Sequence, residues 1–342
     1  MTTFLLRGGG SNSRPSGYEP DELPLLYLAM WSAKVALMNL SSKQILLFYL
    51  CRLMKSGFVN IFGKPNAGKS TLMNALVGEK MAIVSPKVQT TRHRIRAFLN
   101  GPEYQIIFSD TPGIIEPEYK LHEKMMHAVK SSLEDADLAL LLADVRNEPE
   151  SVHAVFEGLR LRVPAFVVLN KIDQAKPEDV KKATAFFEQQ RYCKKVITIS
   201  AAKKINLDIL LSEILSVLPE GEPFFAEDDI TDMPSRFFVG ELIREKIYEL
   251  FDQEIPYQTA VQVTDFKEKQ TLIKITAEII VQRESQKAIL LGQGGKTIKN
   301  LGTMARKEIE AFLDSKVFLE LFVKVRPKWR DNDMQLKEYG YV

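Results

Sequence analysis

The sequence predicts two units in tandem: an α/β domain built on a mostly parallel sheet with helices on both faces, followed by a smaller α+β domain. Three observations carry this. The chain has 342 residues, more than one ordinary hydrophobic core accommodates. Between residues 55 and 218 short apolar runs alternate with helical stretches, the order that builds a parallel sheet. At the first junction of the two, Gly63-Lys64-Pro65-Asn66-Ala67-Gly68-Lys69-Ser70 satisfies G-x-x-x-x-G-K-[ST].

Composition narrows the class. Hydrophobic content of 45% and charged content of 26% are those of a globular protein. A net charge of +2 excludes a global basic field, so any nucleic-acid surface is a local patch. Cys51 and Cys193 cannot build a disulfide framework or a cysteine-rich metal site, which points to a reducing, cytoplasmic setting. His93, His122, His127 and His153 show no metal-ligand spacing.

Residues 1–54 are expected to be an N-terminal extension, disordered or not native to the working protein. Residues 8–17 are rich in Gly and Ser, and the apolar stretch 23–50 is interrupted by Lys34 and Lys43, short of a bilayer span. The α/β domain is expected over 55–218. Its strands are 58–62, 95–99, 104–109, 138–143, 165–170 and 196–200; its helices are 69–77, 121–132, 151–161, 177–191 and 205–217. Ligands of such sheets sit at the carboxyl ends of the strands.

The first strand end carries the glycine-rich loop. Its backbone N–H groups can turn inward around a β-phosphate, and the following helix presents its positive end to the anion. Lys69 would reach the β- and γ-phosphates, and Ser70 would offer a hydroxyl to Mg²⁺. Strand 104–109 runs into Asp110-Thr111-Pro112-Gly113, where a carboxylate can hold Mg²⁺ through water and the Gly113 N–H can approach a γ-phosphate. Strand 165–170 ends in Asn170-Lys171-Ile172-Asp173. A carboxylate at Asp173 accepts from guanine N1–H and N2–H₂, a donor pair that adenine lacks. Asn170 would bond the other base edge or tie this loop to the P-loop, and the Lys171 stem would cover a base face. After strand 196–200, which ends at Ser200, the Ala201 N–H would mark guanine O6.

These motifs, in this order and each at a strand end, resemble the translation-factor class of GTPases. Gln89-Thr90-Thr91-Arg92 with Asp110-Thr111-Pro112-Gly113 resembles the Era family in particular. The resemblance extends from Lys55 to Val342. It implies that Thr91, with Thr90 as the alternative, completes the Mg²⁺ shell when the γ-phosphate is present. It also implies slow intrinsic hydrolysis, because Ile114 stands where Ras-like enzymes carry a water-orienting glutamine. Asn66 is the residue type through which some relatives hold K⁺.

Residues 219–235, rich in Pro and acid, read as a linker, and a second domain is expected over 236–342. It opens with an amphipathic helix over 236–251 and paired strands over 259–266 and 271–282. Then Gly292-Gln293-Gly294-Gly295 makes a G-x-x-G turn between two helices. Such a turn lets backbone N–H groups hold the phosphates of a single strand. Arg283, Lys287, Lys296 and Lys299 place positive charge around it. With helix 305–313 and strand 316–325 the segment resembles a type II KH domain, the RNA-binding module that ends Era proteins. Lys328, Trp329 and Arg330 in the tail add charge and an aromatic suited to RNA.

The expected function is a GTP-hydrolysing switch using GTP/GDP and Mg²⁺, with K⁺ as a candidate activator. The resemblance implies a partner near the 3′ end of 16S ribosomal RNA and a role in assembling the 30S subunit. A monomer in the cytoplasm is expected, with peripheral membrane association as a secondary expectation. Two other readings are open: a constitutive RNA-binding protein, which Lys69, Ser70 and Asp110 disfavour, and a P-loop kinase or ATPase, which Asp173 disfavours.

Overall fold

The computed structural model of the chain describes residues 54–341. Of the expected extension 1–54, residues 1–53, with Cys51, lie outside them, and Met54 already belongs to the first strand.

The first sheet is ordered β2-β3-β1-β4-β5-β6, from β1 (Met54–Phe62), β2 (Ile95–Gly101), β3 (Tyr104–Asp110), β4 (Leu138–Asp144), β5 (Ala165–Asn170) and β6 (Cys193–Thr198). All neighbours in that order are parallel except β2, which runs antiparallel to β3. Its central strands are apolar on both faces because both are covered: every residue of β4 is buried. Helices α1 (Lys69–Val77), α2 (Lys120–Glu134), α3 (Pro149–Gly158), α4 (Pro177–Glu188) and α5 (Leu207–Val217) supply the cover. One core packs around Val59, Ile61, Leu72 and Phe166, the other around Phe62, Leu141, Val167 and Phe187.

The connection to the second sheet is not a free tether. Its β7 (Glu220–Gly221) pairs antiparallel with Met54 and Lys55 of β1. Phe225 then stacks on Phe98, Asn100 donates to the Glu227 carbonyl at 2.8 Å, and Thr231 donates to the Arg96 carbonyl at 2.6 Å. The expected linker 219–235 is thus strapped along the edge of the first sheet, since its aromatic and hydroxyl side chains find partners there.

The second unit is a three-stranded sheet, β10-β9-β8, from β8 (Ala260–Glu268), β9 (Ile273–Val281) and β10 (Val317–Val325). It is covered by α6 (Ser235–Leu250), α7 (Glu284–Leu291) and α8 (Lys296–Leu313), with a core around Ile243, Ile247, Ile279, Leu301 and Ile309. A glycine at position 302 would ordinarily weaken a helix, but α8 runs through it, and a Cβ there would sit in ordinary contact, 3.5 Å from Leu321 of β10.

Helix α6 departs most from expectation. An amphipathic helix should turn its polar side to water, yet Glu241, Arg244, Glu245 and Lys246 are buried. Its polar face meets the first domain. Lys80 pairs with Glu245 at 2.6 Å and Glu308 at 3.0 Å, and Lys87 donates to the Tyr248 carbonyl at 2.6 Å. The short helix α9 (Asp333–Glu338) closes the contact, where Leu121, Met125, Ala260, Trp329, Leu336 and Tyr341 form a small apolar cluster between the domains. Among the described residues no helix is long and apolar enough to cross a membrane.

Candidate nucleotide site and RNA surface

The glycine-rich loop folds between β1 and α1 as an incomplete ring. Gly68 is left-handed, with φ of 97°, and a side chain on it would collide with the Asn170 carboxamide, so only glycine fits. Inside the ring the buried Lys69 ammonium donates to the carbonyls of Gly63 at 3.1 Å and Lys64 at 3.0 Å. Burial lowers its pKa to about 8, against the opposing pull of Asp110.

Three oxygens converge beside it. Ser70 Oγ donates to Asp110 Oδ2 at 2.6 Å, Thr91 Oγ1 donates to the same oxygen at 3.1 Å, and the two hydroxyls lie 2.8 Å apart. Asp110 is wholly buried, and its Oδ1 has no hydrogen-bond partner among the described residues. Burial raises its pKa, opposed by Lys69, Ser70 and Thr91. A buried, unpaired carboxylate oxygen is costly, and hard oxygen donors in this arrangement suit Mg²⁺. Thr90 points elsewhere: its hydroxyl donates to the Lys87 carbonyl at 2.6 Å.

Other expected residues divide. Asn170 does tie the base loop to the P-loop, donating to the Ala67 carbonyl at 2.9 Å. Its Oδ1 accepts from the Ala201 N–H at 2.9 Å, which corrects the expectation of a free donor at Ala201: that N–H is committed to the loop's own scaffold. Lys171, left-handed at φ 66°, donates to the Asn66 carbonyl at 2.6 Å and pairs with Asp144 at 3.0 Å. Asp173 is exposed, and a hydrogen bond from Ser200 holds its carboxyl below the usual carboxylate range. Thr111 was expected at the nucleotide, but it is fully buried and its hydroxyl donates to the Ile61 carbonyl at 2.6 Å, so its side chain serves the sheet. Gly113 and Pro65 lie side by side at the rim, and Pro112 joins Thr111 to it. The Ile114 N–H donates to the Gly63 carbonyl at 3.1 Å while its side chain packs on the second core.

On the second domain, Gly292 has a positive φ of 68°, and a side chain would strike Thr297. The turn 293–295 leads straight into α8. Arg283, Gln293, Gly294, Lys296 and Lys299 are exposed; Lys287 is half-buried and Gly295 lies between them. Lys296 and Lys299 occupy the first turn of α8, where the helix dipole disfavours cations, and no acidic residue offsets them. An anion at the turn would relieve that cost.

The tail is a correction. Trp329 was expected on RNA, but it is fully buried and donates to the Gln258 carbonyl at 3.0 Å. The Arg330 guanidinium lies 4.2 Å over the ring of Tyr119 in the first domain, and so serves the interdomain contact. Lys328 remains exposed. In both corrected cases a residue of RNA-binding type is consumed by packing between domains.

Sequence reasoning missed what holds Thr91. Arg244 of α6 donates to the Thr90 carbonyl, and the buried Arg92 donates to the carbonyls of Thr259 at 2.7 Å and Pro256 at 2.9 Å. The only signal in the chain was an arginine next to the switch threonine.

Fold and site together define a P-loop GTPase domain joined to a KH domain. Residues 58–171 match the family model described as 50S ribosome-binding GTPase, and residues 254–330 match that of the KH domain. GTPase Era of Alkaliphilus metalliredigens is 42% identical, over 84% of this chain and 99% of that protein. A chloroplastic Era-like GTPase of Oryza sativa is 43% identical, over 85% and 70%. Among solved structures, a variant of Era from Aquifex aeolicus bound to GDP·AlF₄⁻ is 41% identical with a TM-score of 0.81, covering 84% of this chain and 100% of that one. Era in complex with MgGDPNP and nucleotides 1506–1542 of 16S ribosomal RNA is 42% identical, also with a TM-score of 0.81, over 84% and 99%. The chain belongs to the Era family of GTPases.

Proposed function

We propose that this protein is a GTP-hydrolysing switch that binds 16S ribosomal RNA near its 3′ end and assists assembly of the 30S subunit. One observation carries the switch: Ser70, Thr91 and Asp110 meet within 3.1 Å beside the buried Lys69, with a carboxylate oxygen left unpaired. Ser70 and Thr91 would hold Mg²⁺ directly and Asp110 through water; when bound, the ion neutralises charge building on the β- and γ-phosphates. Lys69 takes the same phosphates, backbone N–H groups from Asn66 to Ser70 cradle the β-phosphate, and the Gly113 N–H meets the γ-phosphate. Asp173 reads the guanine and the Lys171 stem covers it. With Ile114 turned into the core, no carboxamide at that position orients water, and intrinsic hydrolysis is slow.

RNA recognition is supported by the exposed G-x-x-G turn with Lys296 and Lys299, and by the relative solved with RNA. A cytoplasmic monomer fits this role; a peripheral membrane contact is a secondary reading, checked by vesicle flotation. The test is twofold. Lys69→Ala should abolish tight GTP binding by removing a buried cation aimed at the phosphates. The unaltered chain should co-sediment with small ribosomal subunits in a nucleotide-dependent way. Retained turnover in the variant, or no nucleotide dependence, would refute the reading.

A further inference from the structure

Thr91 sits on a segment, residues 83–94, that has no helix or strand of its own. Its neighbours are held from the second domain. Two residues before it, the Gln89 carbonyl accepts from the Tyr248 hydroxyl at 2.9 Å. One residue before, the Thr90 carbonyl accepts from Arg244. One residue after, Arg92 is buried in a socket of second-domain carbonyls and also donates to the Tyr248 hydroxyl at 3.3 Å. Hydrogen bonds from charged groups in buried surroundings are strong, and leaving one unmade costs the full desolvation of the donor. Undocking the second domain would strip partners from Arg92 and Arg244 and free the backbone on either side of Thr91.

We propose that Tyr248, Arg244 and Arg92 are positioning residues for the GTPase reaction: the docked second domain holds Thr91 at the metal site, so that docking and a γ-phosphate stabilise each other. This rests on the GTPase reading above. It differs from simple tethering because the effect falls on one threonine hydroxyl, which on the GTPase reading completes the metal shell together with the γ-phosphate. By linkage the coupling is reciprocal, so a nucleotide with a γ-phosphate favours the docked arrangement by the same factor.

The test uses the full chain with Tyr248→Phe and Arg92→Lys. The first removes one hydroxyl and keeps the ring beneath Arg244, 5.4 Å away; the second keeps charge but cannot span the socket. Affinities for fluorescent GDP and GDPNP are measured together with kcat and the Mg²⁺ concentration for half-maximal rate. The expected result is GDPNP affinity and kcat lower by about tenfold, a raised Mg²⁺ requirement, and GDP affinity within about twofold of the unaltered chain. Equal losses for GDP and GDPNP would show a merely structural role and overturn the inference, as would two variants with unaltered values. Absence of GTP turnover in the unaltered chain would instead overturn the GTPase reading itself.

Discussion

His93 lies face to face with Tyr341, ring centroids 4.5 Å apart and planes 13° from parallel. Burial lowers the imidazole pKa to about 4; Glu241 opposes this and Arg244 and Arg92 reinforce it. The unfolded chain takes up this proton as the pH falls below about 6.5, whereas the folded one does not until about 4. Stability from this site is therefore complete above about 6.5 and is lost progressively down to about 4. The contribution is up to about 3 kcal/mol, read as a lower urea midpoint at about pH 5 than at about pH 7.5. His93→Phe, which stacks without titrating, should flatten that dependence. An unchanged slope would mean the imidazole is not held neutral.

At the base loop, Asp173→Asn should shift preference from guanine towards xanthine nucleotides, because an amide donates where the acid accepted. The Ser200 hydroxyl beside it can accept from that amide and keep it in place. Competition with XTP and GTP in a fluorescence assay reads the change. Unaltered GTP affinity would remove Asp173 from the base site.

For the RNA surface, Gln293→Asp with Gly294→Asp places carboxylates where phosphates must approach. RNA affinity should fall by at least about tenfold, a loss on the order of 1.5 to 3 kcal/mol. The salt slope should fall by roughly 0.7 for each single-strand phosphate that the turn no longer neutralises. GTP hydrolysis without RNA should not change, because the turn lies about 20 Å along α8 from Glu308 and the interdomain seam. Wild-type affinity and slope would leave Lys328 as the better candidate.

Asn66 donates to the Pro86 carbonyl at 2.8 Å, which leaves its amide oxygen available at the P-loop. Hydrolysis should be faster in K⁺ than in Na⁺ at equal ionic strength, and Asn66→Ala should remove the difference. Equal rates in the two salts for the unaltered chain would exclude a monovalent activator.

The nucleotide site was legible in the sequence because its chemistry sits in short contiguous motifs at strand ends. Gly68, Lys69 and Ser70 are positioned by one loop, and Asp110 and Asp173 each by the strand before them. The interdomain seam was not legible. Arg244 and Glu241 on α6 have the spacing of a solvated helix face, and only the docked first domain turns them into a buried pair 2.5 Å apart. Trp329 and Arg330 misled for the same reason: a basic, aromatic tail has the composition of an RNA-binding segment, and its apolar partners Leu121 and Met125 lie some two hundred residues earlier in the chain. Long-range packing leaves no local period to read.

The seam between the domains also has an order in time. Trp329, Leu336 and Tyr341 are synthesised some two hundred residues after the Leu121 and Met125 that they cover, when all the strands of the first sheet have already been made. Until then Leu121 and Met125 lack the side chains that cover them. Each nascent molecule therefore passes through an interval in which the apolar part of this seam is open, although segments that supply its polar contacts, such as Lys80 with Glu245 and Arg92 with Thr259, have already been made.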